Sequence, residues 1–281
     1  MMETLPQMSL ATEEIRKGRR FGFGQNWLRY LDLLDEDRIR TGQRSLLELL
    51  EMENLSGMTF LDVGSGSGLF SLAARRSGAQ VHSFDFDPAS IACTNNLKAR
   101  YFPSDDAWTT QEGSILDQPI VQALPSSDIV YSWGVLHHTG SMWQALRNVV
   151  VPVKPGGLLC IALYNDQGWA SKFWTAVKRL YCSGSVGRLL TIAIFFPYFV
   201  VAGLISDLSK GTHPLKRYRE YQKQRGMSVV RDWFDWLGGY PFEVAKPRDV
   251  ITFYEQFGFR LKTLRECGSN GCNEFVFKRQ R

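Results

Sequence analysis

The segment that most constrains the fold of this 281-residue chain is residues 60–69, FLDVGSGSGL. An apolar run ends near an acid, and glycines then occupy three alternate positions before a helix-like sequence begins: Gly64, Gly66 and Gly68. Glycine lets the backbone turn sharply and lets a ligand approach it closely, because it has no Cβ. A dinucleotide fingerprint requires its third glycine one residue later, where this chain has Leu69. The pattern predicts a parallel strand, a cofactor-binding loop that includes Ser65, and a helix.

Two acids near this loop indicate which adenosyl cofactor it binds. A pyrophosphate would favour the bare N-terminus of the following helix, whereas S-adenosylmethionine carries an amino-carboxylate, a sulfonium and a ribose. We expect Asp62 to lie close to the amino group through the loop. Asp85 ends the next apolar run, residues 80–85 (QVHSFD). A carboxylate at that place can accept both ribose hydroxyl protons.

Further landmarks follow in a fixed order along the chain: 86–91 (FDPASI), 112–117 (EGSILD), 126–138 (SSDIVYSWGVLHH) and 154–159 (KPGGLL). Together with the glycine loop, these segments resemble those of class I S-adenosylmethionine-dependent methyltransferases over about residues 57–165, and the resemblance resumes near residue 247. The resemblance implies an α/β, Rossmann-like sheet of seven strands in the order 3-2-1-4-5-7-6. It also implies that the last strand is antiparallel and that helices cover both faces.

The resemblance also implies a set of residues that contact S-adenosylmethionine and its product S-adenosylhomocysteine. Asp85 would hold the ribose, Ser114 and Ile115 would flank the adenine, and the backbone around Ser132 and Trp133 would contact the methionine part. The full set is Asp62, Gly64, Ser65, Gly66, Gly68, Asp85, Phe86, Ser114, Ile115, Ser132, Trp133 and Trp27. Trp27 is included because the N-terminal segment of such enzymes often folds over the cofactor. Phe23 and Tyr30 share that prediction, with plain packing of a flap on the sheet as the alternative.

The chain divides into four regions by pattern. Residues 1–56 form an N-terminal helical flap, with helices expected at 13–20 and 35–52 and a glycine-aromatic loop at 21–27. Residues 57–165 are the cofactor-binding core, and residues 166–246 are a large insertion or lid. Residues 247–281 supply a final helix and a closing strand pair, 259–266 and 273–278.

The insertion contains an apolar stretch that admits three interpretations. Residues 189–205 carry no charge over 17 positions, include Pro197 and have basic residues on both sides. The stretch is short for a membrane span, which needs about 20 apolar residues. It could instead lie on a membrane surface, or form a lid helix pair that packs on the domain or on a second subunit as a homodimer contact. The aromatic segment 232–243 that follows is either a wall of the substrate site or a packed connector.

His137 and His138 follow the predicted fourth strand and are the candidate catalytic residues, His138 being favoured. Methyl transfer depends on alignment, and a base is needed when the acceptor is a hydroxyl. Imidazole titrates near neutrality and can take that proton, although a structural His-His pair is the alternative. The chain also resembles quinone-pathway methyltransferases in motif style. Of the metal-binding glutamates and histidine that the O-methyltransferases of that pathway carry, this chain keeps only His138, and we expect no metal.

Motifs of other acceptor classes do not match. Base N-methyltransferases carry an Asn/Asp-Pro-Pro-aromatic segment where this chain has Ser-Trp-Gly-Val at 132–135, and that segment has no cysteine nucleophile. A net charge of +5 does not require a nucleic-acid partner. Five cysteines, odd in number, fit reduced thiols in the cytoplasm. The sequence thus predicts methyl transfer to a small molecule, most simply at oxygen, with a lipid-like acceptor and peripheral membrane association both compatible with it. The alternatives are an RNA or protein methyltransferase and a non-catalytic domain that binds S-adenosylmethionine.

Overall fold

The computed structural model describes residues 10–209, 211, 213, 229–268 and 271–280. Within these residues seven strands form one sheet in the order β3-β2-β1-β4-β5-β7-β6. The strands are β1 (Thr59–Val63), β2 (Gln80–Asp85), β3 (Trp108–Glu112), β4 (Ser127–Trp133), β5 (Val153–Tyr164), β6 (Phe259–Arg265) and β7 (Cys272–Arg279). Strands β1 to β5 pair in parallel, and β7 is antiparallel to both β5 and β6. The predicted strand order and the antiparallel last strand are confirmed.

Helices cover both faces of this sheet, and further helices lie in the N-terminal flap and in the insertion after β5. They are α1 (Leu10–Arg16), α2 (Gly24–Leu31), α3 (Glu36–Leu50), α4 (Leu69–Arg76), α5 (Pro88–Tyr101), α6 (Gln118–Ala123), α7 (Met142–Asn148), α8 (Trp169–Cys182), α9 (Ser185–Ser209), α10 (Val229–Gly238) and α11 (Pro247–Glu255). Consecutive residues of a strand face opposite sides, so Phe60 packs with α3 to α5 while Leu61 packs with α6, α7 and α11. Two apolar layers therefore enclose the sheet and fix the ends of its strands.

Local signals explain where the N-terminal helices begin and end. Asp35 accepts a hydrogen bond from the Arg38 amide at 2.9 Å and opens α3, and Glu51 ends it in the left-handed conformation. The helix expected at 13–20 stops at Arg16, and the loop expected at 21–27 becomes helical from Gly24. Gly24 donates its amide to the Asp87 carboxylate at 2.9 Å, where a Cβ would come within 2.6 Å of the same group. This contact with the core fixes the start of α2, a helix that the sequence analysis did not predict.

The insertion after β5 folds as α8, α9 and α10 and has its own small apolar cluster around Val177, Tyr181 and Leu237. The stretch 189–205 lies within the single 25-residue helix α9, which continues through Pro197. By length and composition α9 could cross a membrane. The insertion returns to the core through a parallel bridge between Asn165 and Ala245. The basic residues at 216–225, which follow this stretch in the sequence, lie outside the described residues.

Candidate functional site

A cavity of about 330 Å³ lies at the C-terminal ends of β1, β2 and β4. This is the edge of an open α/β sheet at which ligands bind. Eight of the twelve predicted cofactor residues line it: Trp27, Gly64, Gly66, Asp85, Phe86, Ser114, Ile115 and Trp133. The flap, the core and the insertion all contribute to its wall.

The glycine loop is held against the end of β2. Gly64 has a φ of +86°, and a Cβ there would lie 2.3 Å from a methyl group of Val135, so only glycine fits. The Gly66 amide donates to the Asp85 carboxylate at 2.9 Å. Gly68 does not line the cavity; it has a φ of +81° and opens α4. The alternating glycines thus shape the loop and start the helix behind it.

Asp85 is the carboxylate that the loop surrounds. One of its oxygens accepts the Gly66 amide at 2.9 Å and the other accepts the Asp87 amide at 2.8 Å. Burial raises the pKa of Asp85 to about 6, which outweighs the opposing effect of these amides. Each carboxylate oxygen has two acceptor positions, so the group retains capacity for the hydroxyls of a ligand.

Asp62 lies behind the loop rather than on the cavity wall. It accepts a hydrogen bond from the Ser71 hydroxyl at 2.5 Å, Ser71 accepts from Ser83 at 2.7 Å, and Ser83 accepts from the Trp108 indole at 2.8 Å. Burial raises the pKa of Asp62 to about 7. This chain of polar contacts joins α4 to β1, β2 and β3, and the contacts that the structure gives Asp62 are with the protein interior.

Two other predicted cofactor residues also point away from the cavity. The Ser65 hydroxyl lies 3.0 Å from that of Thr94, and the Ser132 hydroxyl donates to the Val63 carbonyl at 2.8 Å. Both side chains tie neighbouring elements together, and both lie in the same segments as residues that do line the cavity. A sequence motif places a segment at a site more reliably than it places each side chain.

The two candidate catalytic histidines have different surroundings in the structure. His138 lines the cavity, with its Nδ1 at 2.5 Å from the Pro241 carbonyl. Its ring lies 5.0 Å from the Phe23 ring and 5.6 Å from the Tyr164 ring. Because a carbonyl can only accept, Nδ1 carries the proton and Nε2 carries the lone pair. Burial lowers the pKa of His138 to about 3, so the ring is neutral at physiological pH.

His137 lies behind the cavity wall. Its Nδ1 accepts the Tyr164 amide at 3.3 Å, and burial lowers its pKa far below the ordinary value. Its ring packs on Tyr164 with 4.2 Å between the ring centres. These contacts connect the end of β4 to the end of β5.

Three charged residues on the wall were missed by the sequence predictions: Arg20, Asp87 and Asp235. Arg20 donates to the His138 carbonyl at 2.6 Å and pairs with Glu14 at 2.9 Å. Asp235 of α10 lines the cavity and accepts a hydrogen bond from Asn26. Arg20 belongs to a charged run that gives no functional signal in the sequence. Asp235 lies in the aromatic segment 232–243, for which the sequence predicts either a wall of the substrate site or a packed connector.

Of the three flap aromatics predicted to cover the cofactor, Phe23 and Trp27 line the cavity, whereas Tyr30 is buried between the flap and the core; Phe21 also lines the cavity. In the part of the chain that the structure describes, no group of three or more His, Cys, Asp or Glu side chains is arranged to hold a metal ion. Among the described residues, the cavity wall presents aromatic rings, backbone amides and separate charged side chains rather than a cluster of metal ligands.

Comparison with known proteins identifies the core. Residues 61–159 match the methyltransferase domain family. The ribosomal protein L11 methyltransferase of Helicobacter hepaticus is 40% identical over 75 residues, which are 26% of this chain and 23% of that protein. The ubiquinone biosynthesis O-methyltransferase of Methylobacterium sp. is 31% identical over 114 residues, 40% of this chain and 43% of that protein. The chain thus spans less than half of the length of these relatives.

Solved structures show the same fold. Magnesium protoporphyrin IX methyltransferase from Synechocystis PCC 6803, with bound S-adenosylhomocysteine, superposes with a TM-score of 0.52 at 13% identity, over 99% of this chain and 90% of that one. An O-methyltransferase family protein from Burkholderia thailandensis gives a TM-score of 0.54 at 13% identity, over 95% of this chain and 66% of that one. Residues 61–159 therefore match a methyltransferase domain in sequence, and the described residues share the fold of these solved methyltransferases.

Proposed function

We propose that the chain binds S-adenosylmethionine in this cavity and transfers its methyl group to a hydroxyl oxygen of a small molecule, with His138 as the base. The observation that supports an oxygen acceptor is a neutral imidazole on the cavity wall whose Nδ1 is fixed by the Pro241 carbonyl. That contact leaves Nε2 as a proton acceptor. The ubiquinone-pathway relatives are named as O-methyltransferases, which agrees with this acceptor type.

The described residues fit the parts of the cofactor. Asp85 offers charged acceptors for a ribose diol, and Phe86 and Ile115 offer apolar surface for a purine. The Trp27 indole lies against the glycine loop, since a Cβ on Gly66 would be 3.1 Å from its Nε1. When bound, S-adenosylmethionine supplies an electrophilic methyl group and loses one positive charge as that methyl leaves.

His138 would take the hydroxyl proton at Nε2 during the transfer rather than before it. An imidazole with a pKa of about 3 is too weak a base to ionise a free hydroxyl in advance. A hydroxyl oxygen that is gaining a methyl group becomes strongly acidic, so its proton moves readily to a neutral acceptor. His138 gains a positive charge in the same interval in which the sulfonium charge disappears, so the charge of the buried site stays constant. This compensation lowers the electrostatic cost of protonating a buried ring.

A methyl-transfer assay with a matched histidine variant tests the proposal. Purified protein is given S-adenosylmethionine with panels of phenols, quinols, amines and thiols, and formation of S-adenosylhomocysteine is measured. We expect turnover with a hydroxyl panel, and we expect His138→Gln to lower kcat by about 10²- to 10⁴-fold while cofactor affinity stays within about twofold. His82→Gln is the control, because His82 is half-buried on β2, contacts Thr109 and Gln111, and does not line the cavity.

The outcomes separate the alternatives. Turnover confined to amines or thiols would contradict the oxygen acceptor, and an unchanged kcat in His138→Gln would contradict the base. Turnover confined to tRNA or protein substrates would favour the macromolecular alternative. Cofactor binding with no turnover on any panel would favour a non-catalytic binding domain.

A further inference from the structure

The outer face of α9 is an uninterrupted apolar surface. Six of its large apolar side chains, spaced three, four or seven residues apart, are between 50 and 74% exposed: Val186, Leu190, Ile194, Val201, Ile205 and Leu208. This spacing puts them on one side of the helix. We call this set the α9 stripe. At about 1.5 Å per residue, the 25 residues of α9 extend about 37 Å.

The opposite face of α9 packs near its middle against the rest of the insertion. The Phe195 ring lies 5.4 Å from Trp174 of α8, and the Phe196 ring lies 4.8 Å from Phe234 of α10. The Phe199 ring lies 5.5 Å from Trp233. Because α8 and α10 hold one side of the helix, α9 lies against the folded domain and leaves only its outer side to another partner.

Positive charge borders the α9 stripe at both ends. Lys172 and Arg179 of α8 precede the stripe in the chain, and Arg188 lies in the first turns of α9 between Val186 and Leu190; all three are exposed. After the stripe, residues 210–225 contain six Lys or Arg residues and one acidic residue. The net charge of that segment equals the +5 of the whole chain, so the remainder of the sequence is neutral overall. Between residues 189 and 205 there is no charge.

We propose that the α9 stripe docks on the surface of an anionic lipid bilayer, with α9 lying in the plane of the interface. A helix of this kind buries its apolar face about 5–10 Å into the boundary between headgroups and acyl chains, while its basic flanks meet anionic headgroups. This proposal goes beyond the transfer reaction and does not depend on it.

The charges favour a bilayer over a second copy of the chain. In a two-fold contact the same patch meets itself, so the basic ends of one α9 would face the basic ends of the other. Such like-charge contacts oppose association. The packing of Phe195, Phe196 and Phe199 favours an in-plane helix over a span, because a span would draw the attached α8 and α10 into the hydrocarbon with it.

The docked helix adjoins the candidate site through α10. Trp233 contacts Phe199 of α9, and Asp235, two residues further on, lines the cavity. A bilayer under α9 would therefore lie one helix away from the insertion side of the cavity. This placement would suit an acceptor that is itself dissolved in the membrane.

Vesicle sedimentation with the full chain tests the docking surface. The wild type is mixed with phosphatidylcholine vesicles that contain either no phosphatidylglycerol or 30% phosphatidylglycerol. We expect binding to the anionic vesicles to be at least tenfold tighter than binding to the neutral vesicles. Ile194→Glu should weaken binding at least tenfold, because it places a charge in the α9 stripe. Arg179→Gln with Arg188→Gln should weaken it by about tenfold or more.

The control is Val151→Glu, which introduces the same charge at a similarly exposed apolar position far along the chain, 51% exposed against 61% for Ile194. It should bind vesicles like the wild type, and circular dichroism should show that every variant is folded. No sedimentation of the wild type with anionic vesicles would overturn the proposal, as would equal loss in Val151→Glu. Retention in membranes after carbonate extraction would show a span instead. Dimerisation lost in Ile194→Glu without vesicle binding would show a second copy as the occupant.

Discussion

Replacing Asp85 with asparagine tests the cofactor assignment most directly. The Asp85 carboxylate accepts the amides of Gly66 and Asp87 at 2.9 and 2.8 Å, so an asparagine must turn its own NH₂ group toward one of these donors. The substitution also removes the charge that would strengthen bonds from a ribose diol. Hydrogen bonds to charged groups contribute about 1.5–3 kcal/mol each, so losing the equivalent of one bond weakens binding about 10- to 150-fold.

Isothermal calorimetry with S-adenosylhomocysteine at pH 8 measures this change, and Asp117→Asn is the control. Asp117 follows β3, is exposed and does not line the cavity, so its variant should bind like the wild type. Affinity within about twofold of the wild type in Asp85→Asn would refute the assignment.

The same assay has a pH signature. The pKa of Asp85 is raised to about 6, so the wild-type carboxylate becomes protonated as the pH falls through 6 and loses acceptor capacity. Wild-type affinity should therefore fall between pH 7 and pH 5, and the fall below pH 6 should be absent in Asp85→Asn. Asp62, whose pKa is raised to about 7, is still present in that variant. A wild-type profile that persists unchanged in Asp85→Asn would assign the titration to another group.

Two further predictions concern the free energy of unfolding. Gly64→Ala combines a left-handed backbone with a Cβ 2.3 Å from Val135, and should lower the free energy of unfolding in urea by about 2–4 kcal/mol. Gly156→Ala, with a φ of +76° and open space around it, should lower it by only about 1–2 kcal/mol, and equal effects would contradict the packing argument. Burial lowers the pKa of Lys178 from 10.5 to about 7, so the unfolded chain binds more protons above pH 7 and stability should rise with pH. From pH 7 to 9 the wild type should gain up to about 2.7 kcal/mol relative to Lys178→Met, and parallel pH profiles would refute this cause.

The strand order was predicted from the resemblance to class I methyltransferases, whereas the glycine loop could be predicted because its signal is local. Gly64, Gly66 and Asp85 are each placed by the strand that precedes them, and parallel strands bring their C-terminal ends to one edge. Seven of the eight predicted residues that line the cavity follow from this rule, and the eighth, Trp27 of the flap, was predicted from the resemblance. The same rule brought Asp62 to the correct edge but could not show that its side chain turns inward. Alternation along a strand decides that direction, and a one-residue difference reverses it.

The properties of His138 could not be predicted, because distant segments determine them. Its Nδ1 proton is fixed by the Pro241 carbonyl 103 residues later, and its own carbonyl is held by Arg20, 118 residues earlier. Its low pKa results from burial that the core alone does not provide, since Phe23 of the flap covers the ring. The part of the chain that matches known methyltransferases is the core, yet the core supplies only the backbone that carries this imidazole. If the proposed function is right, exchanging the insertion between related domains should change the acceptor while leaving cofactor affinity, which depends on Asp85, the glycine loop and Trp27 of the flap, nearly unchanged.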